Sequence, residues 1–235
     1  MKKMILSAVM LVFAASGRAQ EAGAASPTEH NEWLTTFEAV AVDADLDIKF
    51  VKVPDTEAPK IVYDTKGSYT SKFRAEVKDK TLRISERPDS RRPDRTEVTV
   101  YYNALRAVSL SGAAATFVGT LDAAVLDVTV NRKASMTAKL DVKDLKMEQT
   151  GYSTANLSGS VRYLTLYVST GKVAASDLEV MSAEVNAQSK AEVSLWITDR
   201  FVGKTTTNAR ISYKGDPKIV RGGAKFMGGE INRVE

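Results

Sequence analysis

Leu126-Asp-Val-Thr-Val-Asn-Arg-Lys-Ala-Ser-Met136, Leu145-Lys-Met-Glu-Gln-Thr-Gly-Tyr-Ser-Thr-Ala155 and Leu164-Thr-Leu-Tyr-Val-Ser-Thr-Gly171 repeat one pattern. Each opens with apolar residues at every second position, the mark of a strand with one buried face. A small or polar kink follows, then a small residue, any residue and an apolar one. Val108-Ser-Leu-Ser-Gly-Ala-Ala114 comes before them, and Val185-Asn-Ala-Gln-Ser-Lys-Ala-Glu-Val193 after. Val202 to Ile211 follows the pattern more loosely, and Ile219 to Phe226 is the last copy. Anchored on Ala114, Ala134, Ser153, Ala191 and Ala209, the steps are 20, 19, 38 (two of 19) and 18 residues. A drifting period of this length is a repeat signature and matches one coil of a β-solenoid. A β-sandwich of ordinary hairpins would also alternate, but it gives no reason for a motif at fixed spacing. The expected fold is therefore all-β, with parallel β-helix or solenoid-like repeats. Each coil would turn its Leu, Val, Ile and Ala side chains inward, and each buried Val or Leu would contribute roughly 1.5–3 kcal/mol. Proline agrees: residues 27, 54, 59, 88, 93 and 217 are all that the chain has, and none lies within 94–216. An uninterrupted ladder has no place for a residue lacking its N–H.

Upstream of the repeats the chain reads as short strands. Phe37–Val42, Leu46–Val53, Ile61–Tyr63, Phe73–Val77, Leu82–Ile84 and Val98–Tyr102 are separated by Pro54-Asp55, Lys66-Gly67-Ser68 and Lys78-Asp79-Lys80. These are turn residues. Residues 33–104 form the strand-rich N-terminal part of a single domain over 33–235, with the repeats over 105–235. Before it, residues 20–32 are small and polar and read as flexible. Met1-Lys2-Lys3, an apolar run from Met4 to Ala15, and small residues Gly17 and Ala19 make residues 1–19 a secretory signal peptide. The run is too short for a membrane span, which needs about 18 or more apolar residues. The expected location is exported: periplasm, cell surface or secreted.

The chain has no Cys, so disulfides and thiolate metal sites are excluded. Its net charge of +4 counts Lys2, Lys3 and Arg18; without them 30 bases face 29 acids, leaving +1. No basic stripe with interleaved aromatics is present, so nucleic acid is not an expected partner. The Arg/Pro cluster from Arg87 to Arg95 mixes both signs and reads as a solvated loop.

Catalysis finds little to work with. His30 is the one His and precedes the first expected strand, whereas a triad or metal site needs a His held by rigid neighbours. Ser169-Thr-Gly-Lys172 spells S-x-x-K, but that motif needs one helical turn and this one follows a strand. Asp43, Asp45 and Asp47 resemble the start of an EF-hand loop, yet Ile48 and Pro54 stand where its Gly and Glu belong. A polar strand edge with Ala44, Leu46 and Ile48 inward is the better account. Asp122 with Asp127, Asp141 with Asp144, and Asp177 with Glu179 are the carboxylate pairs that a glycan-cleaving β-helix would use. Interspersed Lys and Arg make solvated surface charge the default. No catalytic residue, metal ligand or cofactor is assigned. Aromatics are the better binding candidates: Tyr152, Tyr163, Tyr167, Trp196 and Tyr213, with Phe201, fall about one per coil. Aligned on one outer face they would form a ladder for stacking on sugars or a partner protein; filling the coil interior or its corners is the commoner place for aromatics.

Phe37-Glu-Ala-Val40, Asp47-Ile48, Asp79-Lys-Thr-Leu-Arg-Ile84 and Val108-Ser-Leu-Ser-Gly112, with Ile211-Ser-Tyr-Lys-Gly-Asp-Pro217 and Gly228-Gly-Glu-Ile-Asn232, resemble a known family. It is the putative auto-transporter adhesin, head GIN domain family (DUF2807), and the resemblance runs from about Trp33 to the end. The Gly-rich turns of the repeats are replaced here by Asn131-Arg132, Ser189-Lys190 and Asn208-Ala209. The resemblance implies a β-helix-like envelope domain and brings no catalytic residues. The expected function is binding or scaffolding at the cell envelope, with a glycan or an envelope protein as partner. A carbohydrate-active enzyme and a self-associating structural protein are the alternatives.

Overall fold

The computed structural model describes residues 28–66, 72–88 and 94–234, with the backbone alone over 223–226. Residues 1–19, expected as a signal peptide, and residues 20–27 lie outside the described residues. Eight short strands come first: β1 (Glu29–Trp33), β2 (Ala39–Asp43), β3 (Asp47–Lys52), β4 (Lys60–Asp64), β5 (Phe73–Lys78), β6 (Thr81–Glu86), β7 (Glu97–Tyr102) and β8 (Ala107–Ser111). Long strands carry the repeats: β9 (Ala114–Asn131), β10 (Ser135–Thr150), β11 (Thr154–Ser169), β12 (Lys172–Gln188) and β13 (Glu192–Thr206). Then come β14 (Arg210–Lys214), β15 (Ile219–Phe226) and β16 (Glu230–Arg233). The whole is a β-solenoid of about six turns.

Successive long strands pair in parallel, one coil on the next. Ser135 lies opposite Thr154, and Leu145 opposite Leu164. Alternation slips where two successive residues both face outward, as at Lys143-Asp144 and Arg162-Tyr163. There the strand bends, so each coil has a leading flank after the turn, a short middle and a trailing flank. Inward columns compensate in volume. Leu126, Leu145, Leu164, Ala183 and Phe201 stack in register. Gly203 then gives way to the Phe201 ring, whose Cζ lies 2.7 Å from where a Cβ would stand.

Between strands the chain turns through residues in the left-handed region. Arg132-Lys133, Gly151-Tyr152, Ser189-Lys190 and Thr207-Asn208 all have φ between 51° and 67°. All of these but Gly151 are residues other than glycine, and their cost is offset by coil-to-coil bonds. Lys133 N donates to Gly151 O at 2.9 Å, and Lys190 N to Thr207 O at 2.9 Å. Inside the turn edge runs a column of small residues, Ala134, Ser153, Ala191 and Ala209, each fully buried. Buried Gln149 points its Nε2 at Ser153 O (2.7 Å) and Lys172 O (3.0 Å), beside the two-residue turn from β11 to β12.

The N-terminal strands are part of the same stack, sharing one core with the repeats. On the leading flank the order is β1-β4-β7-β3-β9; on the trailing flank β5, β6, β2 and β8 lead to β9. The β2–β3 coil is therefore threaded between β6–β7 and β8–β9, out of chain order. β1, β4 and β5 pair antiparallel and finish this end of the stack. One expectation is corrected: residues 29–32, read as part of a flexible segment, lie in β1 and pair with β4.

Candidate functional site

The aromatics picked out from the sequence do not form a ladder. Tyr152 stands on the turn edge, 75% exposed. Tyr163 lies at the bend between middle and trailing flanks, opposite Asp144 and Ser182. Tyr167 is half-buried on the trailing flank, where Gln188 Nε2 donates to its hydroxyl. Trp196 closes the leading flank of its coil, with Lys214 Nζ 5.1 Å from its ring centroid. Tyr213 is corrected outright: it faces inward and packs on Phe201 with ring centroids 4.8 Å apart. The period of 19 residues carries a side chain to the same column on the next coil, and these residues are spaced otherwise.

An aromatic column does exist, on short strands upstream of the long coils and ending on β9. Trp33 pairs with Lys60 across β1 and β4, and Lys60 with Tyr101 across β4 and β7. Tyr101 then pairs with Val51, and Val51 with Val118. All five project outward from the leading flank, because Tyr101 alternates with buried Val100 and Tyr102, and Val51 follows buried Phe50. Lys60 Nζ sits 4.5 Å from the Tyr101 centroid and 5.7 Å from that of Trp33, a cation held between two rings. Trp33 is 70% exposed and Val118 50%. Trp33 and Tyr101 are two strand spacings apart, about 9–10 Å. Such a flat strip presents electron-rich ring faces to a ligand's polarised C–H groups and a cation to its hydroxyls. In the sequence only Trp33 and Tyr101 hinted at it; the pairing of β1 with β4 and of β4 with β7 is what joins them.

Beneath the strip the inner side is firm. Phe50 stacks on Phe117 at 4.6 Å and meets Tyr102 edge-on at 6.4 Å. His30, which the sequence left in a loose segment, stacks on Tyr63 at 5.0 Å. Burial first, and then its hydrogen bond to Glu32 (2.7 Å), push the Tyr63 phenol up to about 12. Burial, with the Asp122 charge behind it, raises Tyr102 as well. At the rim the Thr28 hydroxyl, donating at 2.6 Å, is the main influence holding Asp64 below its ordinary value.

The catalytic candidates disperse. Asp122 and Asp127 lie on either side of a bend, and Asp144 stands at the bend that follows Asp141. Stacking instead aligns Asp122 with Asp141, then Ser160 and Glu179. Lys52 neutralises Asp122 at 2.6 Å. Asp177 and Glu179 share the outward side of β12, with Lys214 Nζ 4.0 Å from Asp177. The Asp43, Asp45 and Asp47 edge is met by cations. Arg132 Nη2 reaches Asp43 at 2.7 Å, Arg95 Nη1 reaches Asp47 at 2.7 Å, and Arg95 also pairs with Asp45. Ala44, Leu46 and Ile48 face inward as expected. Ser169 and Lys172 flank a turn between strands, far from the helical geometry of a Ser-Lys nucleophile. Among the described residues no helix is long and apolar enough to cross a membrane.

Solved structures share this architecture. A putative adhesin from Bacteroides fragilis superposes with a TM-score of 0.79 at 18% identity, over 88% of this chain and 96% of that one. One from Parabacteroides merdae gives 0.65 at 18% identity, over 88% and 95%. A putative lipid binding protein from Parabacteroides distasonis gives 0.62 at 16% identity, over 88% and 96%. At such identities the likeness is one of fold. No curated protein matches the chain. Residues 36–217 match the putative auto-transporter adhesin, head GIN domain family, and the chain belongs to that family.

Proposed function

We propose that this chain is an exported, non-catalytic binding module of the cell envelope, which holds a surface glycan or envelope protein against its N-terminal aromatic column. The observation that carries this reading is the Trp33–Lys60–Tyr101–Val51–Val118 column: it exposes two aromatic rings, an intervening cation and apolar flanks on a rigid sheet. Aromatic anchors on a pre-formed surface supply much of the binding energy of recognition sites without a large entropy cost. The apolar run of Met4–Ala15 supports export. The adhesin family supports surface recognition. Separation of Asp122 from Asp127 by a bend, with Lys52 on Asp122 and Lys214 beside Asp177, favours binding over hydrolysis.

The test is capture of glycans and envelope extracts on the immobilised 20–235 chain. Trp33→Ala and Tyr101→Ala each weaken specific retention by about thirtyfold, the effect of losing roughly 2 kcal/mol of anchor. Trp196→Ala, on a separate part of the leading flank, leaves it unchanged. Retention lost in Trp196→Ala and kept in the other two would move the site to the opposite end. Turnover of a glycan by the wild type, abolished in Asp141→Asn, would overturn the non-catalytic reading.

A further inference from the structure

The turn edge of the solenoid has a missing tooth. Three residues link β10 to β11 (Gly151, Tyr152, Ser153) and β12 to β13 (Ser189, Lys190, Ala191), whereas Thr170 and Gly171 alone link β11 to β12. In the three-residue turns the first two residues have positive φ, the second projects outward and the third is small and buried. Thr170 (φ 56°) takes the first place. Gly171 takes the buried third place, since it precedes Lys172 as Ser153 precedes its partner Thr154. A Cβ on Gly171 would stand 2.9 Å from Ser153 O and 2.7 Å from Gln149 Nε2. The outward second place is empty. What remains is a notch of about 460 Å³ between Tyr152 on one coil and Lys190 two coils on.

A second two-residue turn shows what such a gap accepts. Gly112 and Ala113 link β8 to β9. There the chain fills the space itself: Arg95 Nη2 lies 3.3 Å from Leu46 O and 3.4 Å from Gly112 O. The planar guanidinium is matched by carboxylates on the flanking turn, Asp45 and Asp47. At Thr170–Gly171 the flanking charge leans the other way, with Lys172 and Lys190 against the single carboxylate of Glu192. Lys190 has no carboxylate within ion-pair distance among the described residues, and Lys172 meets Glu192 at 3.7 Å across an exposed surface. Thr170 and Ser189 add hydroxyls to the rim. Tyr152 adds a ring that is 75% exposed and held at φ 57°, a conformation costing a non-glycine residue roughly 1–2 kcal/mol. The same position carries Lys133 and Lys190 on neighbouring coils, and Asn208 and Gly228 on the last two, of which only Asn and Gly accept that backbone at lower cost.

We infer that the notch is a binding site for a carboxylate-bearing pyranose. The carboxylate is met by the Lys190 ammonium group, Lys172 being shared with Glu192, ring hydroxyls by Thr170 and Ser189, and the apolar sugar face by Tyr152. The site stands apart from the aromatic column and does not depend on it. The test is calorimetric titration of the 20–235 chain with trigalacturonate, neutral galactotriose and inorganic phosphate. Trigalacturonate binds saturably, and its affinity falls by about tenfold or more in Lys190→Gln and in Tyr152→Asn, substitutions on the exposed edge whose backbone geometry Asn tolerates. It also falls on raising the salt, and stays unchanged in Trp33→Ala. No saturable binding up to about 10 mM, a range where weak carbohydrate sites still register, would overturn the inference. So would binding of galactotriose or phosphate as tight as that of trigalacturonate, or wild-type affinity in either notch variant.

Discussion

The stack from β9 to β13 and the end built from β1 to β8 solve one packing problem in two ways. In the long-strand coils each residue lies beside one about 19 positions away, as Ser135 beside Thr154. At the other end Ala39 pairs with Thr81, 42 positions on, and Asp47 with Ala114, 67 positions on. The first arrangement assembles coil by coil; the second needs distant segments to meet before any is buried, which raises the entropic cost of closure. The polar chemistry divides in the same way. Among the described residues, the groups with resolved shifts in proton affinity, Glu38, Tyr63, Asp64, Lys66 and Tyr102, all belong to the N-terminal end. So do the outward aromatic column and the antiparallel strands that finish the stack. Regular coils give the molecule its length, and the irregular end gives it a chemically distinct surface.

Three perturbations sharpen or break that contrast. Phe50→Ala and Phe201→Ala each remove a fully buried ring and cost about 3–5 kcal/mol. Their effects differ in extent: Phe50, on the threaded β3, brings down the whole chain in one transition. Phe201 releases β13 to β16 first, seen by hydrogen exchange as early loss of protection over 192–233. Identical exchange patterns in the two variants would mean that the solenoid unfolds as one unit and the contrast is only geometric. The second perturbation is alkali. Tyr63 carries a folded-state value of about 12, above the ordinary 10. The stability it contributes is therefore complete below pH 10 and lost as pH rises through about 12. Thermal melting over that window falls more steeply in the wild type than in Tyr63→Phe. The smallest effect is in the regular coils: Lys133→Gly relieves a positive φ of 66° and raises stability by about 0.5 kcal/mol, the strain relieved less the entropy glycine adds to the unfolded chain.

Much of the fold was legible because the coils are local. Alternation in Leu126–Val130 and Leu145–Met147, with small residues at 19-residue steps, fixes both the strand and its neighbour. The six upstream strands also stand where Phe37–Val42, Leu46–Val53 and the others alternate. Their stacking order was not legible, since nothing within β2 or β3 names β6 or β7 as a partner. The same blindness explains the site. Trp33, Lys60 and Tyr101 are separated by 27 and 41 residues and become a column only through antiparallel pairing. Tyr213 misled because Ser212 and Tyr213 are equally compatible with an outward place until the buried column of Ile211 is fixed.

The short turn at Thr170–Gly171 leaves the circumference of its coil unchanged. Thr170 to Ser189 spans 19 residues, like Arg132 to Gly151, because β12 carries one residue more than β11, taken up where Ala174 and Asp177 face Asn156 and Ser158. The other two-residue turn is followed by β9, whose 18 residues against 16 in β10 more than make up the loss. A residue has in effect slid from the corner into the wall. Such an exchange opens or closes a recess while every other coil keeps its register, so the perimeter behaves as a closed track on which vacancies can be moved. For anyone wishing to engineer this scaffold, the editable unit is the position of one residue along the track, and each corner is a place to write.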